Sequence, residues 1–180
     1  MTDSVTSDDD TFGDGEFLSP PHAFFSVATA SEWEIRTDDM ATMHFVIPGD
    51  VVDFNTTTFW WPVREEVVLA LSIDLPCAEE YLPKLALALA RANGHDDTKG
   101  KFFYKEEHGL LVWEHTLFLA GVPGITADQT AVLLDTGWSE FEFHLTALAA
   151  AARFELPSPR RQSEPLQAVY QSSVPSKRPN

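Results

Sequence analysis

Among the acidic and histidine side chains in the second half of the chain, five are candidates for a metal site or an acid–base cluster: His115, His144, Glu114, Glu140 and Glu142. Imidazole and carboxylate groups bind zinc, and a catalytic pair needs two such groups in contrasting environments. Glu140, Glu142 and His144 fall largely off the apolar stripe of a predicted helix, so we expect a solvated helix face there. We expect His115 to be a strand histidine with a satisfied hydrogen bond. The pattern therefore predicts neither a metal site nor a catalytic centre.

The single cysteine, Cys77, follows Pro76 and has no base beside it in the sequence. A nucleophilic thiol needs such a base, so we expect a structural cysteine that is buried or partly buried. The chain has no GxSxG motif, Walker loop or dinucleotide fingerprint, and we therefore expect no cofactor. A small hydrolase or metal-dependent enzyme that uses His115 or Cys77 is the alternative from another functional class.

One unit, residues 101–153, must position most of these side chains. Alternating apolar residues around a Glu-Glu-His-Gly turn predict a β-hairpin, and the spacing of Thr126 and Gln129 predicts a capping box that starts a long helix. Within that helix Gly137 costs about 1 kcal/mol relative to alanine, which is tolerated where backbones approach closely or a partner packs. Gly137 is therefore a candidate partner-binding residue. The apolar stripe recurs at intervals of four and three and comprises Leu134, Trp138, Phe141, Leu145, Leu148 and Ala152.

Upstream of this unit the pattern predicts paired strands and a second helix. Pro20 and Pro21 suit the first turn of a short helix, and Pro83 suits the first turn of a later one. The expected fold class is α+β: an antiparallel sheet of about five or six strands with helices mainly on one face, in the order short helix, strands, helix, hairpin and long helix. The other strand and helix predictions cover residues 33–47, 54–63, 67–75 and 79–93.

Composition divides the chain into one domain and two tails. Residues 1–16 form an acidic segment and residues 157–180 a segment rich in proline, serine and basic residues, and we expect both to be disordered. Residues 17–156 are expected to form a single domain.

The formal net charge of −16 repels phosphate backbones and anionic membrane surfaces, so we expect no nucleic acid and no membrane as partner. A single cysteine excludes an internal disulfide and fits a reducing compartment, so we expect a cytoplasmic protein. No apolar run approaches the roughly 20 residues that span a bilayer.

Trp60 and Trp61 are adjacent in a predicted strand. Successive strand residues point to opposite faces, so both can be buried only if the sheet is covered on both sides. We expect one of them to be exposed. Because exposed aromatic residues are favoured interface anchors, Trp60 and Trp61 are candidate partner-binding residues.

Three passages carry a resemblance to a known family. They are VVLALSIDLPCAEEYLPKLALALARAN, KFFYKEEHGLLVWEHTLFLAGV and GITADQTAVLLDTGWSEFEFHLTAL. In order and spacing, over about residues 33–152, the chain resembles the YbjN-type family of bacterial sensory-transduction regulators. That family is similar in fold to type III secretion chaperones, which bind other proteins and often dimerise.

The resemblance implies a non-catalytic regulator or chaperone-like module of the bacterial cytoplasm. Its partner would be an unidentified protein, and a homodimer is one arrangement it allows. A structural subunit of a larger assembly is a further alternative.

Overall fold

The computed structural model of the chain describes residues 16–39 and 41–159. It is an α+β structure with one six-stranded sheet and three α-helices, which confirms the predicted fold class and element order. The elements are α1 (Pro20–Ala30), β1 (Glu34–Asp38), β2 (Thr42–Ile47), β3 (Phe54–Trp61), β4 (Glu66–Asp74), α2 (Leu82–Asn93), β5 (Lys101–Lys105), β6 (Leu110–Phe118) and α3 (Ala127–Ala152).

The sheet is antiparallel throughout, with the strand order β1-β2-β3-β4-β6-β5. Its register brings residues of one parity onto a common face, because side chains alternate along each strand. Phe45 pairs with Thr56, Thr56 with Leu71, and Leu71 with Trp113, and all four are buried. This row marks the core face, and the opposite parity forms an open face.

The three helices form one layer on the core face. Helix α1 contacts β1, β2 and β3, helix α3 contacts β4 and β6, and helix α2 contacts β5. The buried residues of the helices and of the core-facing strand positions belong to one continuous hydrophobic cluster. The predicted one-sided arrangement of helices is therefore confirmed.

Helix α3 begins at the predicted capping box. The backbone N–H of Gln129 donates to Oγ1 of Thr126 (3.1 Å), and the backbone N–H of Thr126 donates to Oε1 of Gln129 (3.0 Å). The predicted apolar stripe is buried along its whole length. Phe141 is its centre, since its ring lies 5.0 Å from that of Phe54 and 5.5 Å from that of Phe102. This one side chain joins β3 to β5 across the core.

Helix α2 begins and ends within the predicted range, residues 79–93, but its C-terminal cap differs from the expected one. A single 3-10 turn, Glu79–Tyr81, precedes it, and Pro83 lies in its first turn. The sequence Asn93-Gly94 favours a left-handed C-cap, but that expectation is wrong here, because the φ of Gly94 is −92°. The helix end is instead fixed by Asn93, whose side-chain amide donates to the carbonyl of Phe102 (2.8 Å) and accepts from its N–H (2.6 Å). Asn93 thus ties α2 to β5.

The predicted tails lie almost entirely outside the described residues. Glu16 and residues 157–159 are described, are exposed, and belong to no helix or strand. The prediction of disorder in the two tails therefore stays a prediction.

Candidate functional site

A groove of about 670 Å³ lies between β6 and the first half of α3, and we call it the β6–α3 groove. It exists because β5 is short: β5 pairs with β6 only as far as Glu114, opposite Lys101. On the side away from β4, no strand among the described residues lies beside the second half of β6. The lining residues are Phe17, Lys99, Trp113, His115, Leu117, Phe118, Leu119, Val122, Gly124, Ile125, Gln129, Val132, Leu133 and Thr136.

The inner wall of the groove is the indole ring of Trp113, which is fully buried. Two glycines flank this ring. A Cβ atom on Gly137 would lie 2.6 Å from Cζ3 of Trp113, and one on Gly100 would lie 2.1 Å from its Cε2. The close approach that Gly137 permits is therefore to a side chain of the same chain. Because Gly137 is buried under Trp113, its own surface is not available to a partner in this structure.

Glu140 holds Trp113 and the adjacent loop in place. Its carboxylate accepts a hydrogen bond from Nε1 of Trp113 (2.8 Å) and two from the backbone N–H groups of Lys99 (2.7 Å) and Gly100 (3.2 Å). A carboxylate with three donors is a strong acceptor site, because charge-assisted hydrogen bonds exceed neutral ones in strength. Glu140, which lies outside the apolar stripe, therefore fixes the position of Trp113 at the inner wall of the groove.

The expectation that Glu140, Glu142 and His144 form a solvated helix face is wrong, because all three bond to loops packed on α3. Oε1 of Glu142 accepts from the backbone N–H of Asp50 (3.0 Å), and burial raises the pKa of the Glu142 carboxyl while this hydrogen bond partly offsets the rise. Nε2 of His144 lies 3.2 Å from the hydroxyl of Thr98. Burial lowers the pKa of His144, and the nearby His95 lowers it further.

Four exposed apolar side chains form the rim of the groove. Phe17, Phe118, Val122 and Val132 are 52%, 70%, 51% and 45% exposed. Contiguous exposed apolar surface on a protein marks interaction sites for other proteins or ligands. The few polar groups at the groove are Lys99, His115, Gln129 and Thr136.

His115 lines this groove as a strand histidine with a satisfied hydrogen bond, as predicted. Its Nδ1 lies 3.1 Å from the carbonyl oxygen of Lys99, which can only accept, and its ring stacks on Trp113 at 6.0 Å. Within the described ranges no group of three or more histidine, cysteine, aspartate or glutamate side chains could hold a metal ion. Glu114 lies on the opposite face of β6 from His115, so the two do not converge.

Cys77 lies away from the groove, between β4 and α2, and is partly buried. Burial raises the pKa of its thiol, and the charge of Glu106 raises it further. A raised pKa reduces the thiolate fraction, which is the nucleophilic form. The partly buried structural cysteine expected from the sequence agrees with this environment.

The two adjacent tryptophans point to opposite faces. Trp60 is half-buried against the core, while Trp61 is 37% exposed on the open face. The ring of Trp61 contacts that of Phe59 edge-on at 5.4 Å, and the guanidinium of Arg64 lies 4.2 Å from its centroid. The exposed member of the pair is therefore Trp61.

The β6–α3 groove was not predicted from the sequence. The residues that α3 contributes are Gln129, Val132, Leu133 and Thr136, which recur at intervals of three, one and three and so share one helix face. That spacing was visible beside the stronger stripe centred on Phe141. What the sequence did not show is that β5 ends before it could cover this face.

The fold and the site define a class: a small α+β protein with a one-sided helix layer and an apolar groove where a sheet edge meets a helix. A family model described as "Putative bacterial sensory transduction regulator", YbjN, matches residues 21–150. The chain belongs to this family.

Two solved structures are similar to the chain. The crystal structure of YbjN from E. coli, described as "a putative transcription regulator", is 15% identical, covers 80% of this chain and 100% of its own, and has a TM-score of 0.55. The structure of the HopA1–SchA chaperone–effector complex is 13% identical, with 76% and 98% coverage and a TM-score of 0.42. The first likeness supports the fold. No curated protein matches the chain.

Among the helices in the described ranges, none has the length and apolar content that crossing a lipid bilayer requires.

Proposed function

We propose that this chain is a non-catalytic protein-binding module, regulatory or chaperone-like, and that its partner binds in the β6–α3 groove. The observation that carries this proposal is the exposed apolar rim around Trp113, formed by Phe17, Phe118, Val122 and Val132. Family membership is consistent with it, since the family is described as a regulator of sensory transduction. A regulator that catalyses no reaction acts through the molecules that it binds.

The chemistry of the groove favours binding over catalysis. His115 already bonds to the Lys99 carbonyl, and its neighbours at the groove are mainly apolar. A catalytic site would need an acid, a base and a positioning group converging on one point. Cys77 lies elsewhere, and burial raises the pKa of its thiol. These features support a binding role for the groove.

The partner is a protein, because the rim presents several separate aromatic and aliphatic anchors of the kind that protein interfaces use. Trp61 on the open face is a second candidate contact, separate from the groove. A bacterial cytoplasmic location is supported by the free Cys77 and by the acidic charge of −16, which disfavours nucleic acids and anionic membranes.

Two valine substitutions test the proposal. Val132→Glu places a charge in the groove, and Val63→Glu places one at a turn residue that is 98% exposed and not part of the groove lining. Both sites are exposed, so each variant should keep its melting temperature within about 3 °C of the wild type. Affinity capture with the full chain, followed by identification of bound proteins, should lose a specific partner with Val132→Glu only. Equal capture by both variants would contradict the proposal.

A further inference from the structure

The second half of β6 presents an unpaired strand edge at the groove, and hydrogen bonds at both ends of the β4–β6 ladder show its orientation. The N–H of Leu75 donates to the carbonyl of Gly109 (2.7 Å), and the N–H of Leu119 donates to the carbonyl of Glu65 (2.7 Å). These two pairs lie in the same register as the ladder between them. In an antiparallel ladder, alternate residues direct both backbone groups to the same neighbour. The backbone N–H and C=O groups of the odd-numbered residues of β6 therefore point toward β4. Those of the even-numbered residues point toward the other side, where β5 lies.

That other side is occupied only in part. Glu114, paired with Lys101, is the last residue of β6 that β5 covers. The N–H and C=O groups of Thr116 and Phe118 point beyond the start of β5, and no described strand pairs with them. These four backbone groups are a template for one further strand in the row of β5.

The side chains beside this edge would accept such a strand. Natural edge strands are commonly blocked by proline or by charged residues, especially lysine. The segment from Thr116 to Leu119 contains neither. Instead Leu117 lines the groove, and Phe118, of the opposite strand parity, is 70% exposed at its rim. A strand added here would direct alternate side chains into the groove, between β6 and Val132 of α3.

We propose that the β6–α3 groove binds its partner as an extended segment that adds a strand to the free edge at Thr116 and Phe118. The segment carries apolar residues at alternate positions, which enter the groove. This alternation matches the groove lining, which is mainly apolar and contains no acidic residue. This inference rests on the proposed function and specifies the conformation and chemistry of the partner. Backbone hydrogen bonds would supply affinity and the groove would supply selectivity, as in other cases of strand addition.

The test uses the full chain and a synthetic nine-residue probe peptide. The peptide has valine at three alternate central positions, threonine between them, and two arginines at each end, with a fluorescent label for anisotropy titration. Two further peptides are N-methylated at alternate amides, one on each edge of the extended peptide. Strand addition uses one edge only, so one methylated peptide should bind about ten-fold more weakly and the other should match the parent peptide.

Protein variants give an independent test. Thr116→Pro removes an N–H that faces away from β4, so the β4–β6 ladder keeps its bonds, whereas Thr116→Ala keeps the N–H. The proline variant should bind the parent peptide about ten-fold more weakly, and the alanine variant should bind it as the wild type does. In ¹H–¹⁵N spectra of the wild type, the amides of Thr116 and Phe118 should become protected from solvent exchange when the peptide is added.

The outcomes separate this inference from the proposed function. If Val132→Glu abolished peptide binding while both methylated peptides bound equally, the groove would be a protein-binding site and strand addition would be wrong. No binding of the parent peptide to the wild type at millimolar concentration would also overturn the inference. A homodimer that Thr116→Pro dissociates in sedimentation experiments would show that a second copy, rather than a separate extended segment, occupies the edge.

Discussion

The two halves of α3 both carry apolar side chains, but their surroundings differ. Residues 138–152 present Phe141, Leu145 and Leu148 to partners within the chain and are closed against the core. Residues 129–136 present Val132 to the open β6–α3 groove. The difference lies in the sheet beneath them, because β5 reaches Lys101 and stops. An apolar helix face therefore joins the core or lines an open groove according to the length of the strand opposite it.

Phe141→Ala is expected to give the largest effect, because it removes the ring that joins Phe54 to Phe102 in the closed half. We expect it to lower the free energy of unfolding by about 3–5 kcal/mol, which includes the cavity it leaves. Phe143→Ala, in the same helix but 70% exposed, is the matched control and should cost less than about 1 kcal/mol. Urea denaturation followed by circular dichroism measures both. Equal costs would show that the second half of α3 is not a closed core.

Gly137→Ala tests the boundary between the halves. Alanine favours a helix over glycine by about 1 kcal/mol, yet its Cβ would meet Cζ3 of Trp113 at 2.6 Å. Trp113 cannot easily retreat, since Gly100 lies on its other flank and Glu140 holds its Nε1. We expect a net destabilisation of about 1–3 kcal/mol from overpacking and a changed tryptophan emission spectrum.

The same urea experiment with Ser139→Ala, at an exposed position of α3, reports the helix preference alone. If Gly137→Ala stabilised the protein as much as an alanine in an unobstructed helix should, the close packing of Gly137 on Trp113 would be refuted.

His144→Asn should give the smallest of these effects, and it should depend on pH. The pKa of His144 in the folded protein is lowered from 6.5 by burial and by His95, while Glu140 opposes the shift. The unfolded chain therefore binds the proton more tightly. The stability contributed by neutral His144 is complete above pH 6.5 and is lost as the pH falls through and below that value.

Unfolding midpoints in urea at pH 7.5 and pH 5.5 check this expectation. The wild type should lose more stability than His144→Asn over this interval. An identical loss of stability in the two proteins would contradict this expectation, because it would mean that His144 is fully solvated and does not pack against the loop at Thr98.

The sequence predicted those features that depend on neighbours along the chain. The capping box at Thr126, the stripe through Phe141 and the turn around Pro83 follow from helix periodicity and local hydrogen bonding. The hairpin at the Glu-Glu-His-Gly turn also follows, since glycine readily adopts the left-handed conformation that Gly109 has there, with φ of 62°. Family membership was predicted from the order of these elements, and the match over residues 21–150 confirms it.

The sequence did not predict features that depend on where distant loops lie. Glu142 bonds to the backbone of Asp50, which is 92 positions away in the chain, and Glu140 bonds to Lys99 and Gly100. Helix periodicity places these carboxylates off the apolar stripe but contains no information about the loops that cover them. The groove was missed for the same reason, because it is bounded by the end of β5 rather than by a pattern in α3.

The most direct test is hydrogen–deuterium exchange of the full chain with and without its captured partner, read by mass spectrometry. Partner binding in the β6–α3 groove predicts slower exchange in β6 over residues 115–119 and, more weakly, in α3 over residues 129–136, with no change over residues 141–152. Protection confined to residues 59–66, around Trp61, with unchanged exchange in residues 115–119, would move the binding site to the open face and contradict the account.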